Sequence, residues 1–76
     1  MIRTFEKDYK ALGSKIKKRR IELNIGQKEL AEMTFPKIDR SKISDLENGK
    51  EDFYFSTLLR ICKALDISLI DLMKNY

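Results

Sequence analysis

The 76-residue sequence contains no histidine and only one cysteine, and these two absences remove several classes of protein. Without histidine the chain lacks the usual general base of nucleophilic dyads and triads. One cysteine excludes an intrachain disulfide and a zinc site of several Cys or His ligands. Cys62 lies in the apolar run LLRICKAL, which favours a buried structural thiol over a reactive one. Because the carboxylates are spread along helix surfaces, we expect no enzyme, no metal and no cofactor.

Long apolar runs are also missing. No stretch approaches the roughly 20 residues needed to cross a bilayer, and the charged start MIRTFEKDYK is unlike a signal peptide. We therefore expect a cytoplasmic protein without a membrane partner. Its length predicts a single domain over residues 1–76, with a core at about 8–74.

Positive charge is concentrated at one end of the chain. The first 20 residues carry eight Lys and Arg against two acids, while the remaining 56 residues have a net charge of −2. Such asymmetry favours a polyanionic partner, through the long-range field and through release of counterions from phosphates. The alternative is an ordinary basic surface helix that serves solubility.

Apolar spacing predicts five short helices and no strand, and therefore a compact all-α domain. The first helix runs to about Asn24, either from Phe5 with Thr4 as N-cap or from near Asp8, because Gly13 weakens a longer helix. The second starts at Gln27. The connection at 35–38 contains the only proline, the fourth helix begins at Ser56 or Thr57, and Ser68 caps the last helix.

The stretch KIDRSKISDLENGK, residues 37–50, predicts the third helix. Asp39 is expected to cap its start by accepting from backbone N–H groups, and Gly49 is expected to end it with a left-handed backbone conformation. The helical period turns Ile38, Ile43 and Leu46 inward and places polar residues outward, namely Arg40, Ser41, Ser44, Asp45 and Asn48. This outward face is either a surface that reads a partner or only a solvated face.

Arg20 falls close to the inward stripe of the first helix, between Ile16 and Leu23. A charge at such a position needs a partner, because burial of an unpaired ion is costly. The spacing alone does not name that partner.

Four segments resemble the phage repressor and Cro-like helix-turn-helix family, also called the xenobiotic-response-element family. They are IKKRRIELN (16–24), QKELAE (27–32), ISDLENGK (43–50) and LLRICKALDISLIDLM (58–73). The resemblance implies a five-helix lambda-repressor-like domain that binds double-stranded DNA. In that family the second and third helices form the motif, and the third helix lies in the major groove.

The resemblance also implies roles for individual residues. Arg40, Ser41, Ser44 and Asp45 match positions that reach base edges, and Arg20 and Glu47 match an ion pair that holds the third helix against the first. Gln27 matches a residue that contacts phosphate. Further candidates for phosphate contact are Lys17, Lys18, Lys37, Lys42 and Asn48.

Two departures from the family pattern stand out. The connection MTFPKI is longer than the usual tight turn, which affects the angle of the third helix. Glu51 and Asp52 occupy a loop where relatives often carry basic residues, and these carboxylates are expected to oppose a phosphate.

The function that this resemblance implies is a homodimeric repressor that reads a two-fold symmetric operator through residues 39–48, of phage, mobile-element, restriction-modification or antitoxin type. Leu69, Ile70, Met73 and Tyr76 are either the dimer interface or ordinary core. The alternative function is a protein-interaction module, antitoxin-like or an adaptor, that keeps the fold but not DNA binding. Salt dependence separates the two, because phosphate contacts weaken steeply with salt.

Overall fold

The computed structural model describes residues 5–76, and over this range it contains five helices and no strand. The all-α fold predicted from the sequence is confirmed. The elements are α1 (Glu6–Glu22), α2 (Gln27–Met33), α3 (Arg40–Glu47), α4 (Phe55–Ala64) and α5 (Leu69–Asn75). None of these helices has both the length and the apolar character of a membrane span.

The first helix takes the longer of its two predicted forms, since α1 begins at Glu6 and keeps Gly13 in its interior. A Cβ atom at Gly13 would lie 2.2 Å from the Leu46 carbonyl oxygen and 2.6 Å from that of Glu47. Glycine is therefore required for the close approach of α1 to α3, which outweighs its low helix propensity. Thr4, the expected N-cap, lies outside the described residues, and Phe5 occupies the cap position.

The core lies where the inward faces of all five helices meet. Its largest fully buried side chains are Ile16, Leu30, Ile43, Leu46, Ile61, Leu65 and Leu72. Cys62 is buried among them, and burial raises the pKa of its thiol. This placement agrees with a structural thiol, because a neutral buried sulfhydryl is a poor nucleophile.

Of the three caps predicted within the described residues, two form as expected. Gly49 adopts a positive φ of 69°, and the Ser68 hydroxyl accepts a 3.1 Å hydrogen bond from the Asp71 amide, as predicted. Asp39 occupies the N-cap position of α3, but its side chain makes no capping hydrogen bond, so that prediction was wrong. Helix α4 starts at Phe55, one residue before the predicted Ser56, which is an ordinary uncertainty of helix ends.

The long connection between α2 and α3 is fixed by Thr34. Its hydroxyl donates to the Ala31 carbonyl at 2.7 Å and accepts from the Ile38 amide at 2.9 Å. Both hydrogen bonds are buried, so the connection has a defined path. Phe35 follows Thr34 on the surface, and its peptide bond to Pro36 is cis.

The order of packing determines what α3 can do. Helix α3 packs against α1 and α2, while α4 packs against α2 and α5, and α5 also contacts α1. The pair formed by α2 and α3 thus packs on α1 through the inner side of α3. The other side of α3 stays open.

Candidate nucleic-acid interface

A buried ion pair joins α1 to the end of α3. Arg20 Nε donates to Glu47 Oε2 at 2.7 Å, and Arg20 Nη2 donates to Glu47 Oε1 at 3.0 Å. The exposed fractions of the two side chains are 10% and 1%. The hydrogen bonds to Glu47 raise the pKa of Arg20, although burial acts in the opposite direction. Arg20 thus has the partner that its inward position requires.

The same carboxylate also holds Gln27. The side-chain Nε2 of Gln27 donates to Glu47 Oε1 at 3.1 Å, and Arg20 Nη1 donates to the Ile25 carbonyl at 2.9 Å. The residues before and at the start of α2 are therefore tied to the ion pair. The side chain of Gln27, expected on a phosphate, is used inside the protein. Its backbone N–H, at the first position of α2, has no acceptor within the helix and remains suited to an anion.

The outward face of α3 carries the four side chains predicted to reach bases. Arg40 and Ser41 are exposed, and Ser44 and Asp45 are half-buried. On the opposite face Ile43 and Leu46 are 1% exposed. The structure thus brings the four predicted residues together on one side of a short, well-anchored helix.

Asn48 closes α3 instead of reaching away from it. Its Nδ2 donates to the Ser44 carbonyl at 2.9 Å, which satisfies one of the terminal carbonyls of the helix. The residue stays exposed at the start of the following turn. One hydrogen bond of its amide is thus made within the chain, and the phosphate contact expected from the sequence stays a prediction.

The lysines proposed for phosphate contact are not equivalent. Lys17, Lys18 and Lys37 are exposed, whereas Lys42 forms an ion pair with Glu51. Glu51 was expected to oppose a phosphate, and its ion pair with Lys42 offsets that negative charge. Lys42 in turn is not a free cation in this structure.

The second loop carboxylate, Asp52, lies close to Tyr9 of α1. Burial, and then a hydrogen bond to Asp52, raise the pKa of Tyr9. A Cβ atom at Gly49 would lie 2.8 Å from the backbone nitrogen of Lys10, so the start of α1 packs directly on the loop after α3. Of the two loop acids, Glu51 therefore pairs with Lys42, and Asp52 lies close to Tyr9 of α1.

The predicted dimer surface divides into two parts. Leu69 and Tyr76 pack against the core, whereas Ile70 and Met73 are exposed, Ile70 by 70%. Only the second pair offers open apolar surface.

Arg19 and Lys15 hold the end of the chain, which the sequence analysis missed. Arg19 donates to the Leu65 carbonyl at 3.0 Å and to the Asp66 carbonyl at 3.1 Å, and Lys15 Nζ donates to the Tyr76 carbonyl at 2.6 Å. These partners are at least 46 positions apart in sequence, and no local pattern indicates them. Two of the basic residues near the N-terminus are thus structural.

The Tyr76 hydroxyl accepts from Arg19 and donates to Glu22. Arg19 Nη1 also donates to Glu22 Oε1 at 2.9 Å. The hydrogen bonds that Glu22 accepts, from Tyr76 first and from Arg19 second, lower its pKa. The half-buried Arg19 and Tyr76 and the exposed Glu22 form one polar cluster between α1 and the end of α5.

Comparison with known proteins agrees with this geometry. A family model described as a helix-turn-helix domain matches residues 13–76. The fold is similar to the crystal structure of the clp gene regulator ClgR from C. glutamicum, with a TM-score of 0.80 and 28% identity over 86% of this chain and 81% of that chain. No curated protein matches the chain.

Proposed function

We propose that the chain, which belongs to the helix-turn-helix domain family, is a homodimeric repressor that reads a two-fold symmetric operator through α3. A DNA-binding transcriptional regulator of the xenobiotic-response-element type is what the family and the likeness to the clp gene regulator support. Beyond this, we propose that the protein is a dimer, that its operator is symmetric and that it represses transcription.

The observation that carries the proposal is the contrast across α3. Its inner side is held by the Arg20–Glu47 ion pair, and its outer side presents polar side chains without apolar cover. A helix anchored in this way enters a major groove as a rigid unit, so its side chains meet base edges in a fixed register.

Each outward side chain has a chemistry that suits base edges. The exposed guanidinium of Arg40, in the first turn of α3, matches the O6 and N7 acceptors of guanine. The hydroxyls of Ser41 and Ser44 suit either donors or acceptors. Asp45 accepts from a cytosine amino group and repels phosphate, so it acts mainly by discrimination.

Phosphate contacts fix the register without reading sequence. The exposed Lys17, Lys18 and Lys37 supply positive charge, and the backbone N–H of Gln27 supplies a helix-terminal donor. Lys42 and Asn48 contribute less, because both already have partners within the chain.

Two copies are required because one such domain buries a small interface with DNA. Ile70 and Met73 form the open patch of α5, with Leu69 and Tyr76 at its base. Ile70→Glu should shift the protein from dimer to monomer in sedimentation. Phe5→Glu is the matched control, since Phe5 is also an exposed apolar residue but lies at the start of α1.

Selection of bound duplexes from a random pool, at two salt concentrations, tests the function directly. We expect a two-fold symmetric motif, with affinity that falls steeply as salt rises. A motif without symmetry would contradict the dimer. The absence of any enriched sequence at low salt would contradict DNA reading and would favour the protein-interaction module.

A further inference from the structure

A groove of about 420 Å³ lies on the side of the molecule formed by α2 and α4. Its walls come from the end of α2, the connection that follows it and the second half of α4. The lining residues are Met33, Phe35, Arg60, Lys63 and Ala64. Three of the five are apolar, two are cationic and none is acidic.

The apolar part of the groove is unusually open to solvent. Phe35 is 89% exposed and Met33 is 49% exposed. On α4, Phe55 and Leu59 are also exposed, and they precede Lys63 at intervals of four residues, so the three share one face of the helix. Aromatic residues, methionine and arginine are the types enriched in protein interfaces. Single exposed apolar residues need no explanation, but a groove with an apolar strip beside it does.

The two cations of the groove keep their charge unopposed. The hydrogen bonds of Arg60 go to neutral acceptors, the Pro36 carbonyl at 3.1 Å and the Thr57 hydroxyl at 3.3 Å. Its Nε is the one buried side-chain donor or acceptor within residues 5–76 that has no hydrogen-bond partner. Lys63 is exposed, and no ion pair found in the described part of the chain includes either cation. Two cations without an ion pair, in a lining that has no acidic residue, favour an acidic ligand.

We propose that this groove is a docking site for a segment of a partner protein that carries carboxylates next to a bulky apolar side chain. The apolar side chain packs between Met33 and Phe35, and the carboxylates face Arg60 and Lys63. Charge complementarity selects the acidic segment, because a basic or neutral segment leaves both cations unpaired. The groove volume matches a few side chains, which is the size of an anchor in a protein interface.

A segment bound in the groove leaves the outward face of α3 accessible. No residue of α3 lines the groove, and α4 packs against α2 and α5, whereas α3 packs against α1 and α2. The protein can therefore hold a partner through α2 and α4 while α3 is occupied. The inference stands independently of whether α3 reads DNA.

A displayed library of randomised helical peptides tests the proposal on the purified protein. Selection on the wild type is combined with counter-selection on Phe35→Ala/Lys63→Gln. Both residues are exposed, so this variant should keep its fold, which thermal unfolding checks. The matched control is Phe5→Ala/Lys7→Gln, which removes the same two side-chain types from the exposed start of α1.

We expect the enriched peptides to combine Asp or Glu with a bulky apolar residue about one helical turn away. Their affinity should fall about tenfold or more for the groove variant and stay unchanged for the control. Replacing the acids of a selected peptide by amides should weaken binding by a similar factor.

Three results would overturn the proposal. The first is a peptide pool that binds the wild type and the groove variant equally. The second is binding that is indifferent to the loss of the peptide carboxylates. The third is occupation of the groove by another species, seen either as displacement of peptide by a single-stranded oligonucleotide or as a self-association that the groove variant abolishes.

Discussion

The two ends of α3 differ sharply in how deeply their side chains are buried. At the C-terminal end, Glu47 is paired with Arg20, and the carbonyl oxygens of Leu46 and Glu47 lie 2.2 and 2.6 Å from the position that a Cβ of Gly13 would take. At the N-terminal end, Arg40 and Ser41 are exposed. We call the C-terminal end of α3, at Leu46 and Glu47, its locked end, and the N-terminal end, at Arg40 and Ser41, its open end.

The difference teaches how a very small domain presents polar side chains without losing its shape. Ordering a loose element during binding lowers affinity, because conformational entropy is lost at that moment. Here folding fixes the backbone of α3 through its locked end, and only the side chains of the open end remain to be ordered. Changes at the locked end should therefore affect stability, and changes at the open end should affect binding alone.

The largest effect is expected from Glu47→Ala. This change leaves the Arg20 guanidinium buried without its carboxylate and removes the acceptor of Gln27, so it should lower the free energy of unfolding by about 3–5 kcal/mol. Urea denaturation measures the loss. The double variant Arg20→Met/Glu47→Leu should be more stable than Glu47→Ala, because no charge is left buried. A loss below about 1 kcal/mol for Glu47→Ala would mean that the end is not locked by this pair.

Gly13→Ala tests the same end through packing instead of charge. The new methyl group meets the backbone of α3, which cannot move aside as a side chain does, and we expect a loss of about 3 kcal/mol in unfolding free energy. Gly26→Ala is the control. A Cβ at Gly26 meets only the end of the Glu29 side chain at 3.8 Å, so it should cost about 1 kcal/mol or less. Equal losses for the two variants would show that close packing of α1 on α3 is not the cause.

Arg40→Ala probes the open end. Its guanidinium is exposed and has no role in the core, so the unfolding free energy should stay within about 0.5 kcal/mol of the wild type. Affinity for the selected operator should fall by about 1–3 kcal/mol, with specificity relaxed at one base position. Lys18→Ala, by contrast, should weaken binding to all sequences alike. A uniform loss for Arg40→Ala would place Arg40 on a phosphate.

The sequence predicted the two ends unequally well, and the reason is the range of the interactions. Hydrophobic periodicity marked Ile43 and Leu46 as inward, and it marked Arg20 as a charge that needs a partner. Only the family resemblance named Glu47 as that partner, because 27 positions separate the two residues. Local pattern therefore shows that a contact is needed, but not which residue supplies it.

Contacts that no periodicity requires went unpredicted. Three hydrogen bonds depend on how the helices meet. They run from the buried Thr34 hydroxyl to the Ala31 carbonyl, from Gln27 to Glu47 and from Arg19 to the Leu65 carbonyl. The missing capping hydrogen bond at Asp39 has a different cause from these unpredicted contacts. A good capping residue stands at the right position, but its side chain does not make the bond that local preference predicts.

Glu51→Gln tests the ion pair between Lys42, which lies between the open and the locked end of α3, and Glu51 in the loop that follows. Both side chains are more than one third exposed, 37% for Lys42 and 38% for Glu51, so the pair should contribute at most about 1 kcal/mol to stability. Its effect on DNA binding should be clearer, because the change frees the Lys42 ammonium and removes a negative charge beside it. If the freed ammonium reaches a phosphate, the slope of log affinity against log salt becomes steeper by about 0.9, and binding at low salt strengthens.

Glu32→Gln removes an equivalent exposed charge from α2 and should leave the slope unchanged. An unchanged slope in Glu51→Gln as well would assign Lys42 to the locked end of α3, as a residue that fixes the loop and does not contact DNA.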